Sequence, residues 1–274
     1  MSELLHIDGP RFEENFAKTP FGVTHSLSGH ELLGVESIAR LADALPESSV
    51  EHNRGDIPAV VGDGEAPRLD LTPGEIARTV ESNKSWMVLK NIEQDAEYRR
   101  LLDGLLDEVA PLVSGREGGM NLREGFIFLS APNSVTPAHT DHEHNFLLQI
   151  RAPKYFHVGR FNDARAGQIQ IERMYAGARN LDRLPDDPQL FELGPGDGVY
   201  VPPTAPHWVE TGDDVSVSLS ITFRTPATEN ASYVHAVNRH LRRAHLSPRP
   251  PGRSRVSDQA KAGVFRTLQR VRGG

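Results

Sequence analysis

His139 and Asp141 stand two residues apart in the stretch Asn133-Ser-Val-Thr-Pro-Ala-His-Thr-Asp-His-Glu-His-Asn-Phe-Leu-Leu-Gln-Ile-Arg-Ala-Pro-Lys154. On extended backbone that spacing sends both side chains out of one face of a strand. A neutral imidazole beside a carboxylate makes two corners of a metal site. A third ligand is on offer in Gly194-Pro-Gly-Asp-Gly-Val-Tyr-Val-Pro-Pro-Thr-Ala-Pro-His207. Two histidines and one carboxylate leave positions open on an octahedral metal, the arrangement associated with non-haem Fe(II) chemistry.

Such ligands need a rigid scaffold, and the pattern around them is β. Short apolar runs broken by Pro and Gly occur at Phe126–Leu129, Val135–His139, Asn145–Ile150, Tyr155–Val158, Gly198–Val201, Trp208–Glu210 and Val215–Phe223. Seven such runs predict an all-β barrel or sandwich. Residues 160–190 are rich in Asp, Arg and Pro and read as an insertion between strands, a natural lid or substrate loop.

The flanks read as helical. Leu33 to Leu45 has helical spacing and stops at Pro46, whereas 47–70 reads as loop. Thr72-Pro-Gly-Glu75 matches a capping box opening a short helix to about Val80. Trp86–Lys90 reads as a buried strand. Asp95 caps a helix to about Val113, with Leu101, Leu102, Leu105, Leu106 and Val109 on its apolar face. Beyond Pro226, two helices are expected at Tyr233–Leu246 and Ser257–Val271, separated by a Pro-rich break. The expected division is a helical and loop segment over 1–84, a β core over 85–226 and a basic helical segment over 227–274.

Composition sets the outer limits. The 274 residues are 38% hydrophobic and 24% charged, as in ordinary soluble domains. The absence of cysteine excludes disulfides and thiolate metal sites. No secretory leader and no membrane-spanning run is visible, so a cytoplasmic protein without membrane attachment is expected. The net charge of −7 is uneven: from Arg239 onward ten Lys/Arg face one acid, a net +9, leaving −16 on the preceding residues. A basic tail suits nucleic acid or an acidic protein surface. With no nucleic-acid motif beside it, pairing with an acidic body, in the same chain or a partner subunit, is the favoured reading.

Taken together, Val135-Thr-Pro-Ala-His-x-Asp141, Asn145-Phe, Gln149-Ile150, Lys154 and Pro195-Gly-Asp-x-x-Tyr-x-Pro202 followed by His207 resemble the jumonji C (JmjC) branch of the cupins. The likeness is greatest to the asparaginyl-hydroxylase type and its bacterial cupin-like relatives, and it is firm over about 125–225. It implies a mainly β fold with flanking α: a double-stranded β-helix (cupin, jelly-roll) core with N-terminal and C-terminal helices. It further implies Fe(II) on His139, Asp141 and His207, with 2-oxoglutarate beside the metal. By position, Lys154 and Thr136 would hold the distal carboxylate of 2-oxoglutarate and Asn145 would lie near the metal-bound carboxylate. Thr222 takes the place of a second Asn of the family. The implied activity is 2-oxoglutarate- and O2-dependent hydroxylation of an unactivated C–H in a protein or peptide side chain or an amino-acid-like small molecule. A homodimer through the C-terminal helices is also implied.

Physics supports Lys154 independently, because a carboxylate inside a barrel needs a charged partner to offset its desolvation. Arg224, on a late strand, is the competing anchor. His142 and His144 are not expected to bind metal. Strand parity turns them away from 139 and 141, and the Glu that follows the HxH of other cupins is replaced by Leu, Leu and Gln at 147–149. His157 reads as packed or solvent-facing, Trp208 as packing around the ligands, and Asp197 as a turn residue. The rival readings are a metal-binding cupin that does not oxidise, serving as sensor or structural subunit, and a DNA-associated regulator using the tail. A cupin isomerase or a dioxygenase independent of 2-oxoglutarate is disfavoured by Asp141 and Lys154.

Overall fold

A computed structural model of the protein describes residues 3–55, 57–60 and 70–272, with side chains to 269. Most of the loop expected between 55 and 70, and the tail side chains Arg270 and Arg272, lie outside the described residues. In chain order the first elements are β1 (Leu5–His6), α1 (Gly9–Asn15), β2 (Phe21–His25), α2 (Val35–Ala44), β3 (Val50–Arg54), α3 (Pro73–Arg78) and α4 (Val80–Asn83). β4 (Ser85–Lys90) and α5 (Ala96–Glu117) lead into the central strands. These are β5 (Asn121–Ser130), β6 (Val135–His139), β7 (His144–Arg151) and β8 (Lys154–Arg160). After α6 (Ala164–Met174) come β9 (Asp186–Leu193), β10 (Asp197–Val201), β11 (His207–Thr211) and β12 (Ser216–Arg224), then α7 (Pro226–Arg243) and α8 (Arg255–Arg272).

The strands form two antiparallel sheets that face each other. The larger has the order β1-β2-β10-β7-β12-β5-β4-β3 and the smaller β6-β11-β8-β9. The expected seven β runs are all strands here. The N-terminal segment departs from the sequence reading, since it supplies β1, β2 and β3 to the two edges of the larger sheet as well as helices. Val50–Arg54 was expected as loop. Its polar residues carry no strand signal, and pairing with β4 decides its conformation. The 160–190 insertion likewise contains α6 and the start of β9.

Local signals fix several helix ends. Thr72 and Glu75 form the reciprocal capping box, and the Asp95 carboxylate accepts from the N–H groups of Glu97 and Tyr98. The α5 helix runs past its expected end at Val113 to Glu117 and is capped by Gly118 at φ 80°. Pro111 removes one backbone hydrogen bond, but buried Val113 keeps the following turn packed.

The principal apolar core is outside the barrel. Ile127, Leu129, Phe146, Leu148, Leu219 and Ile221 leave the outer face of the larger sheet and meet Phe12, Ile38, Ile76, Leu105 and Leu106 from the helices. A smaller cluster of Leu147, Phe156, Val158, Val199, Val201 and Val209 lies between the sheets. Since each fully buried Leu or Ile contributes roughly 1.5–3 kcal/mol, the outer core can hold the larger sheet while its inner face carries polar groups.

Candidate metal centre and the buried lysine

Residues 207 and 139 are register partners in the pairing of β11 with β6, so the two imidazoles meet with ring centroids 4.2 Å apart. Asp141 lies just past the end of β6. Its Oδ2 is 3.8 Å from His139 Nε2 and 3.6 Å from His207 Nε2. The three ligand atoms all fall within 4.8 Å of one another. The loop that delivers His207 is stiffened by Pro202, Pro203 and Pro206. It is stapled to the Asp141 loop by a 2.6 Å hydrogen bond from the Thr204 N–H to the Asp141 carbonyl, with Thr204 in the left-handed region at φ 64°.

Each imidazole uses its other nitrogen locally. His139 Nδ1 lies 2.7 Å from the Pro137 carbonyl and His207 Nδ1 2.9 Å from the Ala205 carbonyl. A carbonyl only accepts, so both Nδ1 atoms are donors, and both Nε2 atoms are left on the Asp141 side. Burial, reinforced by neighbouring His139, drives the His207 pKa down to about 4 and keeps that ring neutral. Phe156 stacks on His207 at 5.1 Å. The set of two imidazole nitrogens and one carboxylate, converging on one point, fits a divalent iron-type ion.

Lys154 opens β8 and is only 3% exposed. Its ammonium donates to Ser218 Oγ and lies 5.8 Å from the centre of the Phe128 ring. Burial alone pushes its pKa down to about 7; no carboxylate among the described residues offsets it. Arg224, the competing anchor, is committed elsewhere. Its guanidinium holds Glu143 at 2.8 Å and also contacts His142.

The remaining expected residues divide. Thr136 Oγ1 accepts from the Trp86 indole N–H at 3.1 Å, and Trp86 packs on Phe128 with centroids 6.1 Å apart. Thr136 and Lys154 therefore border the same Trp86–Phe128 wall. Asn145 Oδ1 accepts from Ser220 at 2.7 Å. Thr222 faces its register partner Asn145, but its hydroxyl is turned to the Glu124 carbonyl of β5 at 3.3 Å. His144 is fully buried on the opposite face of the sheet. It is stacked between Phe16 and Phe223 and bonded to Tyr200 and Glu117. His142 is occupied by Glu143 and Arg224. Asp197 accepts from the Gly194 N–H across its turn. Trp208 corrects the sequence reading: it points away from the ligands and stacks on His157 at 4.3 Å beside Ala138 and Leu181.

Sequence reasoning missed the hydroxyl stripe of β12. Ser216, Ser218, Ser220 and Thr222 alternate with Val217, Leu219, Ile221 and Phe223, and all eight are buried. The period-2 pattern was visible in the chain. Its polar face was not recognisable as interior until the second sheet covered it.

Comparison with known proteins agrees with this arrangement. Residues 122–231 match the family model of the JmjC domain. No curated protein matches the sequence. Among solved structures, the chain is similar to the Escherichia coli ribosomal oxygenase YcfD, at 19% identity over 98% of this chain and 68% of that chain, with a TM-score of 0.53. YcfD in complex with cobalt and 2-oxoglutarate aligns at 16% identity over 98% and 68%, again with a TM-score of 0.53. Its complex with cobalt and succinic acid aligns at 17% identity over the same shares, with a TM-score of 0.53. At these identities the likeness is one of fold. Within that fold, residues 122–231, which include His139, Asp141, Lys154 and His207, carry the match to the JmjC domain.

Proposed function

We propose that the protein is an Fe(II)- and 2-oxoglutarate-dependent oxygenase that hydroxylates an unactivated C–H bond. The observation that carries this reading is Lys154: a buried ammonium with no counter-ion among the described residues, inside the same barrel as a His-Asp-His cluster. Placing a cation there is unfavourable unless an anion joins it. A cosubstrate with a carboxylate at one end and a keto acid at the other satisfies both centres at once. The YcfD complexes with cobalt and 2-oxoglutarate or succinic acid support the same cosubstrate class.

In this reading His139, Asp141 and His207 hold the metal, their Nε2 and carboxylate atoms aimed by the Nδ1 bonds to Pro137 and Ala205. Lys154 and Thr136 receive the distal carboxylate, and Trp86 orients the Thr136 hydroxyl. Ser220 holds the oxygen end of the Asn145 amide, leaving its N–H donors for the carboxylate nearest the metal. Thr222 has a lesser part, its hydroxyl being engaged by β5. When bound, iron with 2-oxoglutarate and O2 supplies the oxidation, with succinate and CO2 as co-products. Phe156 stacks on His207, while His139 and Asp141 keep a solvent-accessible side toward an incoming substrate.

The substrate class is a protein side chain, a choice supported by the fold shared with a ribosomal oxygenase; an amino-acid-like small molecule is the alternative. A homodimer is part of the same reading, with exposed Val264 and Leu268 of α8 on the surface to be covered. Cytoplasmic placement is part of the same reading; no helix among the described residues is long and apolar enough to cross a membrane. The test is an anaerobic Fe(II) titration with and without 2-oxoglutarate, following the visible charge-transfer band, then succinate on admitting air. A band that requires 2-oxoglutarate, followed by succinate, is expected. Bound iron with neither signal would overturn the oxygenase reading in favour of a non-oxidising metal cupin.

A further inference from the structure

The ammonium of Lys154 is attached to a hydrogen-bond relay whose direction is fixed by its far end. Gln149, fully buried on β7, turns its amide nitrogen to the carbonyls of Arg151 at 2.7 Å and Ala152 at 2.6 Å, and to Ser216 Oγ at 3.0 Å. Carbonyls only accept, so the amide has one allowed orientation and its oxygen faces β12. There Ser218 Oγ lies 2.6 Å from Gln149 Oε1. The single hydroxyl proton of Ser218 is therefore spent on Gln149. Its lone pairs are left for Lys154 Nζ.

We infer that Ser218, oriented by Gln149, is a positioning residue for the distal-carboxylate anchor, holding one N–H of Lys154 so that the others meet a dicarboxylate cosubstrate. The inference rests on the oxygenase reading above and deepens it. A serine oxygen presented as acceptor favours the charged lysine and restricts its three rotatable donors. It thereby selects cosubstrates with a second carboxylate at the far end. A Ser218 that could reverse its hydroxyl would present a proton to the ammonium and lose this effect. Gln149 prevents the reversal.

The experiment compares binding of 2-oxoglutarate with that of 2-oxobutanoate, a keto acid lacking the distal carboxylate, to the anaerobic Fe(II)-loaded protein across pH 6–9. In Ser218→Ala the Kd for 2-oxoglutarate should rise about tenfold, or about 1.4 kcal/mol. The Kd for 2-oxobutanoate should stay unchanged, and the pH at which 2-oxoglutarate affinity begins to fall should move lower. Ser218→Thr, which keeps the hydroxyl, should restore both the preference and the pH profile. Gln149→Glu gives Lys154 an internal counter-ion through the same serine and should abolish the preference for the dicarboxylate; it serves if the alanine variant does not fold. Equal weakening of both keto acids, or an unchanged preference in Ser218→Ala, overturns the positioning role. Failure of the unaltered protein to bind 2-oxoglutarate beside iron would instead sink the oxygenase reading, so the two failures are distinguishable.

Discussion

Two cations, Lys154 at the start of β8 and Arg224 at the end of β12, are candidates in the sequence for an anionic ligand, with Lys154 favoured, and the fold treats them differently. Arg224 ends β12 against Glu143 and His142, its charge satisfied within the chain. Lys154 has a serine, an aromatic face and, among the described residues, no carboxylate. The difference teaches that a buried ion without a partner is the better marker of a ligand than a cation of the expected type near the expected place. An unpaired ammonium in a low-dielectric interior is costly enough to require a reason. A paired guanidinium needs none beyond its partner.

The sharpest way to break the contrast is to remove what gives Lys154 a purpose. Asp141→Ala should lower Fe(II) affinity by at least about 100-fold, more than the loss expected of an outer partner, and should take 2-oxoglutarate binding with it. Calorimetric metal titration measures this. Lys154→Ala should leave Fe(II) affinity unchanged and raise the Kd for 2-oxoglutarate by roughly 100-fold, or about 2.7 kcal/mol. An unchanged Kd would transfer the anchor's role elsewhere.

The third test is pH. Burial brings Lys154 from 10.5 to about 7 in the empty protein. Below that value the ammonium is already charged and affinity for 2-oxoglutarate should be flat. Above it, binding must take up a proton, and affinity should fall by up to about tenfold per pH unit. The same depression carries a stability signature. Between pH 7 and 10.5 the unfolded chain holds a proton that the empty folded protein lacks. Stability of the empty protein should therefore rise with pH across that window, and the rise should vanish in Lys154→Ala. The smallest effect on ligand is expected from Arg224→Ala, within about threefold for 2-oxoglutarate, while thermal unfolding reports a loss of about 1–3 kcal/mol from the stranded Glu143. A large loss of 2-oxoglutarate affinity there would reverse the assignment of the two cations.

Histidines draw the same lesson at shorter range. His139 and His144 are five residues apart, and parity and the missing Glu of other cupins separated them in the sequence. In the fold, one gives its Nδ1 to a neighbouring carbonyl and keeps Nε2 free for the cluster. The other has both nitrogens occupied, by Tyr200 and Glu117. The two end up on different strands of different sheets, β6 and β7, so parity does not carry across the loop between them. It could not foretell that the outer face would be the main apolar core, with an aromatic sandwich waiting for His144.

What the sequence determined by itself was everything that depends on near neighbours. The donor types and their spacing, the alternation of the seven β runs, and the caps at Thr72 and Asp95 are written within a few residues of where they act. Tertiary structure decided the rest. It drew β1, β2 and β3 out of an apparently helical and loop-like segment to finish a sheet. It sent Trp208 outward and brought Phe156 to His207, and it turned Thr222 toward β5. It also settled which lysine or arginine would lack a counter-ion. Edge pairing, burial and charge compensation all depend on residues far away in the chain, and a local pattern of side chains holds no record of which partner will arrive.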